Sequence, residues 1–257
     1  AFTCPLGFYE FNRLPQGVMN APSTFQRLME RCLTGLNWKG CMVFLDDLVI
    51  YSDTLESHEQ KLRQVFDALA QYGLKLSPPK CKLFQTDVKY LGHVISQAGI
   101  ATDPDKISAL KSWPVPQNSK DLHSFLGFTS FYRKYVKHYS QVAQPLQDLL
   151  TWCYARVGKG RKKIDLRPHW TSEHQETFES LIDKLTTAPV LGYADYKLPY
   201  ILHTDASQKG LGAVLYQVQD GMRKVIAYGS RRLSKTEKNY PAHKLEFLAM
   251  KWAVTEK

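Results

Sequence analysis

Apolar residues recur along the chain with two different periods. In residues 20–35, Phe25, Leu28, Met29, Cys32 and Leu33 follow the i, i+3, i+4, i+7, i+8 spacing of one helix face, with Pro22 in the first turn after Asn20. Residues 41–52 change period. Cys41-Met42-Val43-Phe44-Leu45 and Leu48-Val49-Ile50-Tyr51 are short β-prone runs around Asp46-Asp47, which predicts a hairpin. A second helix is predicted from about 53 to 72, with His58, Leu62, Val65, Phe66 and Leu69 on one face and Gly73 as its stop. A Pro-Pro turn at 78–79 and two strands, 82–85 and 88–95, are expected to follow.

From Asp103 the pattern turns helical. Asp103-Pro104 supplies a cap and first position, and Trp113-Pro114 ends that helix. Residues 119–139 read as one further helix, with Leu122, Phe125, Leu126, Tyr132 and Val136 inward and Arg133, Lys134 and Lys137 toward solvent. Residues 154–167 carry Arg156, Lys159, Arg161, Lys162, Lys163 and Arg167 against one Asp165 and read as an exposed linker and domain boundary. Ser172-x-x-Gln175 is read as capping a helix bearing Phe178, Leu181, Ile182 and Leu185. Strands are expected at 200–205, 211–217 and 223–230, then a helix from near Pro241 to the end.

Composition narrows the class. The 257 residues, 44% hydrophobic and 12% aromatic, suffice for one large or two modest cored domains. The net charge of +10 is densest in residues 201–257, with 10 basic against 5 acidic side chains, and suits a polyanionic partner such as nucleic acid. No apolar run approaches the roughly 18 to 20 residues of a membrane span. Cys4, Cys32, Cys41, Cys81 and Cys153 lie far apart with no C-x-x-C pair, so reduced, mostly buried thiols are expected rather than zinc or disulfides.

Asp46-Asp47 is the first candidate for chemistry. Two like charges at one turn are costly unless a cation sits beside them, and such oxygen donors suit Mg²⁺ held together with substrate phosphates. Asp is also an ordinary turn residue. Upstream, Leu14-Pro15-Gln16-Gly17 opens a helix; Gly17 lets backbone approach a ligand, and Gln16 offers both donor and acceptor. Asp205 ends an apolar strand and Glu246 sits on a helix 41 residues later; alone they read as a turn residue and a helix-surface glutamate. His203 and His243 read as structural.

Taken in order, the chain resembles the reverse transcriptases of long-terminal-repeat retroelements of the Ty3/gypsy type. The resemblance rests on residues 14–26, Phe44-Leu45-Asp46-Asp47, residues 73–81 and Tyr90-Leu91-Gly92-His93-Val94-Ile95. It extends through Phe125-Leu126-Gly127-Phe128 with Tyr132-Arg133, and Leu202-His203-Thr204-Asp205-Ala206-Ser207 with Lys244-Leu245-Glu246. It implies a multidomain fold of α+β and α/β parts: a partial right-hand polymerase palm (1–98), a helical thumb (99–152), a basic linker and connection (153–196), and a truncated RNase H-like domain (197–257). Asp46 and Asp47 would be polymerase metal ligands, with Asp46 binding directly. Gln16 and Gly17 would face nucleotide and template, Leu45 would lie under the primer end, and residues 90–95 would form the primer grip. Lys80 would meet the pyrophosphate leaving group, against the plain alternative of a solvated lysine after a turn. Phe44 stands where many relatives have tyrosine. Arg133, Lys134 and Lys137 would contact phosphates, and Asp205 and Glu246 would bind metal for RNA hydrolysis.

The implied cofactor is Mg²⁺ or Mn²⁺. The implied partners are an RNA–DNA hybrid or primed template, deoxynucleoside triphosphates, and the protease and integrase of a Pol polyprotein, with no membrane. The implied setting is intracellular, in a cytoplasmic virus-like particle or the nucleus. No Asp precedes Asp46, and the family pattern places another polymerase aspartate upstream and further RNase H carboxylates and a histidine loop beyond Lys257. The expectation is a piece of a longer enzyme, with little polymerase or RNase H activity by itself. The competing reading is a domesticated, non-catalytic nucleic-acid-binding protein that keeps the basic surfaces.

Overall fold

A computed structural model describes residues 1–15, 17–157 and 163–255. The chain divides into two compact units, Ala1–Gln85 and Thr86–Lys257.

In the first unit, β1 (Phe2–Cys4) and β2 (Gly7–Tyr9) form an antiparallel pair. Then come α1 (Ala21–Cys32), β3 (Cys41–Phe44), β4 (Asp47–Ile50) and α2 (Leu55–Gln71). Thr54 caps α2, its hydroxyl accepting from the Ser57 amide at 3.2 Å, and Gly73 ends it with φ +67°. Met29, Cys32 and Leu33 of the α1 segment meet Cys41 of β3 and Val65 and Leu69 of α2 in one small core. The helix positions belong to the apolar stripes anticipated from the sequence, but Leu28 and Phe66 of those stripes remain exposed. The core fixes the β3–β4 hairpin against both helices.

The second unit opens with a three-stranded antiparallel sheet of β5 (Val88–Tyr90), β6 (His93–Ser96) and β7 (Gly99–Thr102). Helices α3 (Pro104–Lys111), α4 (Ser119–Phe131), α5 (Tyr139–Val142), α6 (Gln144–Val157) and α7 (Ser172–Thr186) follow. They surround a core that includes Leu110, Leu122, Phe125, Tyr132, Tyr135, Leu146, Leu166, Leu181 and Leu185. Antiparallel strands β8 (Ile201–Ser207), β9 (Gly210–Gln219) and β10 (Met222–Arg231) form a second sheet, ordered β10-β9-β8. Helix α8 (Ala242–Thr255) packs on it through Leu245, Ala249 and Trp252, against Leu211 and Ala213.

Five expectations are corrected. Residues 82–85 are not a strand: Phe84 has φ +53°, which breaks extension. Residues 88–95 are not one strand but a hairpin, because Leu91 (φ +49°) and Gly92 (φ +78°) both take the left-handed geometry of a two-residue turn. The helix expected over 119–139 stops at Phe131. A 3₁₀ turn at Arg133–Tyr135 follows, then His138 at φ +55°, then α5. This break turns Tyr132 and Tyr135 to the same side, because residues three apart eclipse on a 3₁₀ turn. Residues 154–167 are not simply an exposed linker. Helix α6 reaches Val157, and Leu166 is fully buried while its amide donates to the Gln117 carbonyl at 2.8 Å. Lys159, Arg161 and Lys162 lie outside the described residues. The capping box before α7 also sits one residue early, on Thr171 and His174.

Gly99 (φ +135°) lies where Ile100 and Leu191 exchange backbone hydrogen bonds at 2.8 and 2.9 Å, and a Cβ there would run into the Leu191 carbonyl. Gly99→Ala is expected to destabilise the chain by roughly 2 to 4 kcal/mol, combining a strained φ with a backbone clash. Urea denaturation checks this; a loss below about 0.5 kcal/mol contradicts it.

Candidate functional site

The β3–β4 hairpin pairs Phe44 with Asp47, so Leu45 and Asp46 form its two-residue loop. Asp47 is the first residue of β4, and both carboxylates are exposed. Leu45 is half-buried with φ +54°, a left-handed conformation that a β-carbon disfavours. Its amide donates to Gln26 Oε1 on α1 at 2.7 Å. Gln26 Nε2 in turn donates to Glu30 Oε1 at 2.8 Å and reaches the Val43 carbonyl at 3.4 Å. One glutamine therefore ties the helix to the bend and to the strand that leads into it.

Among the described residues, neither the Asp46 nor the Asp47 side chain has a protein hydrogen-bond or ion-pair partner. Two hard oxygen donors on adjacent residues, uncommitted and open to solvent, fit a divalent cation that keeps part of its water shell. No group of three or more His, Cys, Asp or Glu side chains converges among the described residues, so other oxygen donors would have to complete the shell.

Gly17 precedes α1 with φ +87°, exposed, with nothing within 4 Å of where a Cβ would be. That is the open backbone a close ligand approach requires. Gln16 lies outside the described residues. Lys80 closes an exposed 3₁₀ turn, Pro78–Lys80.

In the second unit, Asp205 pairs with Gly212 across β8 and β9, on the face it shares with His203, Val214 and Tyr216. Leu202 and Ala206 point to the other face, into the core under α8. Glu246 is exposed on α8. The Asp205 face borders a cleft of about 260 Å³ lined also by Lys137 and His138. His138 Nε2 lies 4.0 Å from Asp205 Oδ2, and its buried Nδ1 has no hydrogen-bond partner among the described residues. Burial and the Lys137 ammonium push the His138 imidazole below its ordinary range, against the pull of Asp205. The contact is therefore one of a neutral ring with a carboxylate near pH 7. His203 hydrogen-bonds the Tyr216 hydroxyl, which supports its structural reading.

The three thumb basics do not share one helix face, because the helix has already ended. Arg133 and Lys137 are exposed. Lys134 is half-buried, 5.3 Å from the Tyr135 ring centroid, and burial lowers its pKa; its expected solvent exposure is corrected accordingly.

The β5–β6 turn is held by aromatics. Tyr132 donates to the Gly92 carbonyl at 2.9 Å, Tyr135 shares a 3.0 Å hydrogen bond with His93 Nδ1, and Phe131 stacks on His93 at 5.3 Å between ring centroids. Burial, then Lys134, lowers the His93 pKa to about 4.

Sequence reasoning missed Gln26 and His138 as parts of these sites. Gln26 closes the 14–26 segment already singled out, but nothing in its spacing announced a hydrogen bond to Leu45. The His138 contact depends on a left-handed residue that reads as helical.

Comparison with known proteins agrees with this geometry. Residues 1–95 match the family "Reverse transcriptase (RNA-dependent DNA polymerase)", and residues 170–256 match the "RNase H-like domain found in reverse transcriptase". The chain thus belongs to the reverse transcriptases of retroelement Pol polyproteins, of the Ty3/gypsy type. It is 39% identical over 98% of its length to the Retrovirus-related Pol polyprotein from transposon 297 of Drosophila melanogaster, covering 22% of that protein. It is 36% identical over 99% of its length to the corresponding polyprotein from transposon gypsy of the same fly, covering 24% of it. The chain therefore spans about a quarter of the length of these relatives. Among solved structures it is similar to a foamy viral protease-reverse transcriptase in complex with RNA/DNA hybrid, with a TM-score of 0.79 and 27% identity over 96% of this chain and 32% of that one. A foamy viral protease-reverse transcriptase dRH in complex with double-stranded DNA gives a TM-score of 0.81 and 28% identity over 95% of this chain and 41% of that one. No described helix is long and apolar enough to cross a membrane.

The His93 shift has a definite sign. Between pH about 4 and 6.5 the unfolded chain holds a proton on His93 that the folded chain does not, so stability falls as the solution is acidified through that window. His93→Phe is expected to flatten this part of the stability–pH profile, read by urea denaturation at pH 7.0 and 4.5. An unchanged profile contradicts the assignment.

Proposed function

We propose that this chain carries the nucleotidyl-transfer centre of an RNA-directed DNA polymerase, joined to an RNase H-like domain that acts on the RNA strand of RNA–DNA hybrids. The supporting observation is the pair of uncommitted carboxylates, Asp46 and Asp47, at a braced bend inside a segment that matches the reverse transcriptase family. In this reading the palm covers 1–98, the thumb 99–152, the basic linker and connection 153–196, and the RNase H-like part 197–257.

Asp46 and Asp47 hold Mg²⁺ or Mn²⁺, Asp46 directly. A divalent ion bound there supplies charge neutralisation for phosphoryl transfer. The primer 3′ hydroxyl attacks the α-phosphorus of a deoxynucleoside triphosphate; a new P–O bond forms and pyrophosphate leaves. Leu45 supports the primer end from the bend. Gln16 and the open backbone at Gly17 meet nucleotide and template. Lys80 neutralises the departing pyrophosphate or gives it a proton. Arg133, Lys134 and Lys137 contact phosphates, which positions a duplex without reading its sequence. Asp205 and Glu246 contribute carboxylates to the hydrolytic centre. The protein functions within a Pol polyprotein alongside protease and integrase, in a cytoplasmic virus-like particle or in the nucleus.

Two measurements on the full Pol polypeptide test this. Asp46→Asn is expected to lower primer extension by at least about a hundredfold while leaving hybrid binding within a few-fold. Unimpaired extension by that variant overturns the assignment. Affinity for an RNA–DNA hybrid is expected to fall steeply between 50 and 200 mM salt, and Arg133→Ala to reduce the log–log slope by about 1. An affinity insensitive to salt contradicts nucleic acid as the partner.

A further inference from the structure

Leu45 is the one residue of the Phe44–Asp47 bend held in the left-handed region, and it carries a γ-branched side chain there rather than glycine. A non-glycine residue in that conformation costs on the order of 1 kcal/mol or more and persists only where its surroundings hold it. The Leu45 amide makes its 2.7 Å bond to a side chain on a different element, Gln26 of α1. The orientation of that side chain follows from its partners. With Oε1 toward the Leu45 N–H and Nε2 toward the Glu30 carboxylate and the Val43 carbonyl, each donor meets an acceptor; the flipped amide would set N–H against N–H and oxygen against carboxylate. Glu30 thus fixes the rotamer of Gln26, and Gln26 fixes the bend. Met29 and Cys32, on the same helix, anchor α1 in the core that also holds Cys41 of β3.

We infer that Gln26, oriented by Glu30, is a positioning residue that holds the Leu45 amide and thereby sets where Asp46 and Asp47 present their carboxylates. This rests on the polymerase reading above. Gln26 touches neither carboxylate, so its influence passes through the backbone of one residue. Side-chain positions in such a centre need to be held to a fraction of an ångström, and a displacement of about 1 Å costs as much as a hundredfold in rate.

The arrangement predicts a specific pattern of rescue. Gln26→Leu removes both arms of the brace. Gln26→Glu keeps an acceptor for the Leu45 amide but sets its second oxygen against Glu30. Combining Gln26→Glu with Glu30→Gln restores a donor opposite that oxygen.

The test has two parts. In the 257-residue chain, hydrogen exchange at the Leu45 amide is expected to accelerate at least about fivefold in Gln26→Leu and to return toward the wild-type rate in the double variant. In the full Pol polypeptide, Gln26→Leu is expected to lower kcat for primer extension by about tenfold to a hundredfold, with KM for nucleotide changed by less than about threefold. The double variant is expected to recover most of that loss, and Gln26→Glu alone is not. A merely structural role would change thermal stability without this split or this rescue. If wild type extends primers and Gln26→Leu matches it in kcat, the inference is overturned. If wild type itself neither extends primers nor depends on a divalent ion, the polymerase reading fails, and exchange at Leu45 still decides whether the brace exists.

Discussion

Adjacent carboxylates repel each other, and a bend that presents two of them to water has to be held by something other than the carboxylates themselves. Here the group that holds the bend directly is uncharged. The backbone of Leu45 is kept in an unfavourable conformation by a glutamine amide, while the strands below it are clamped by a small core shared with α1 and α2. This separates the part that bears charge from the part that bears load. Among the described residues, the Asp46 and Asp47 carboxylates accept from no other group, so their acceptor capacity stays available for a cation. Were either tied into the fold by a lysine or arginine, that capacity would be reduced.

The second unit is joined by a different physics. Tyr132, Tyr135, Phe131 and His93 form a seam of rings whose polar tips find partners inside it, so that burial and hydrogen bonding act together. The break in the helix after Phe131 is what makes the seam possible. The same break brings Lys137 and His138 to the edge of the β8–β9 face that carries Asp205. The segment read from sequence as a basic helix surface is thus a corner, with one basic residue packed against a ring and another lining a cleft.

The long elements were legible because periodicity reports burial directly. Most of the stripes on α1 and α2, and the run Leu122, Phe125, Leu126 on α4, fall in the cores where the spacing put them, while Leu28 and Phe66 at the stripe margins stay exposed. The Asp46-Asp47 hairpin was legible because β-prone runs flanked an acidic pair. What escaped were positions where one residue leaves the regular backbone: Phe84, Leu91 and His138, all with positive φ and none of them glycine. Such residues are chosen by tertiary contacts, and local propensity carries no trace of them. The tucked segment at Ile164 and Leu166 was masked for a related reason. Its basic neighbours dominated the composition, while the two alternating apolar residues were the better guide to its path along the start of α4.

The turn between β10 and α8 is organised around Glu237, which accepts from both terminal nitrogens of Arg231, at 3.0 and 3.1 Å, and from the Ser234 amide at 2.7 Å. The Arg231 guanidinium, with that amide, lowers the Glu237 pKa to about 2. The aromatic seam around His93 and this latch respond to protons over different ranges. The seam loses stability already in mildly acid solution, because its opened form binds a proton on His93 that the packed form excludes down to about pH 4, whereas the latch keeps its charge until the medium is strongly acid. An acidifying compartment would therefore loosen the joint between hairpin and helices first, and leave the hinge that delivers α8 to its sheet still fastened.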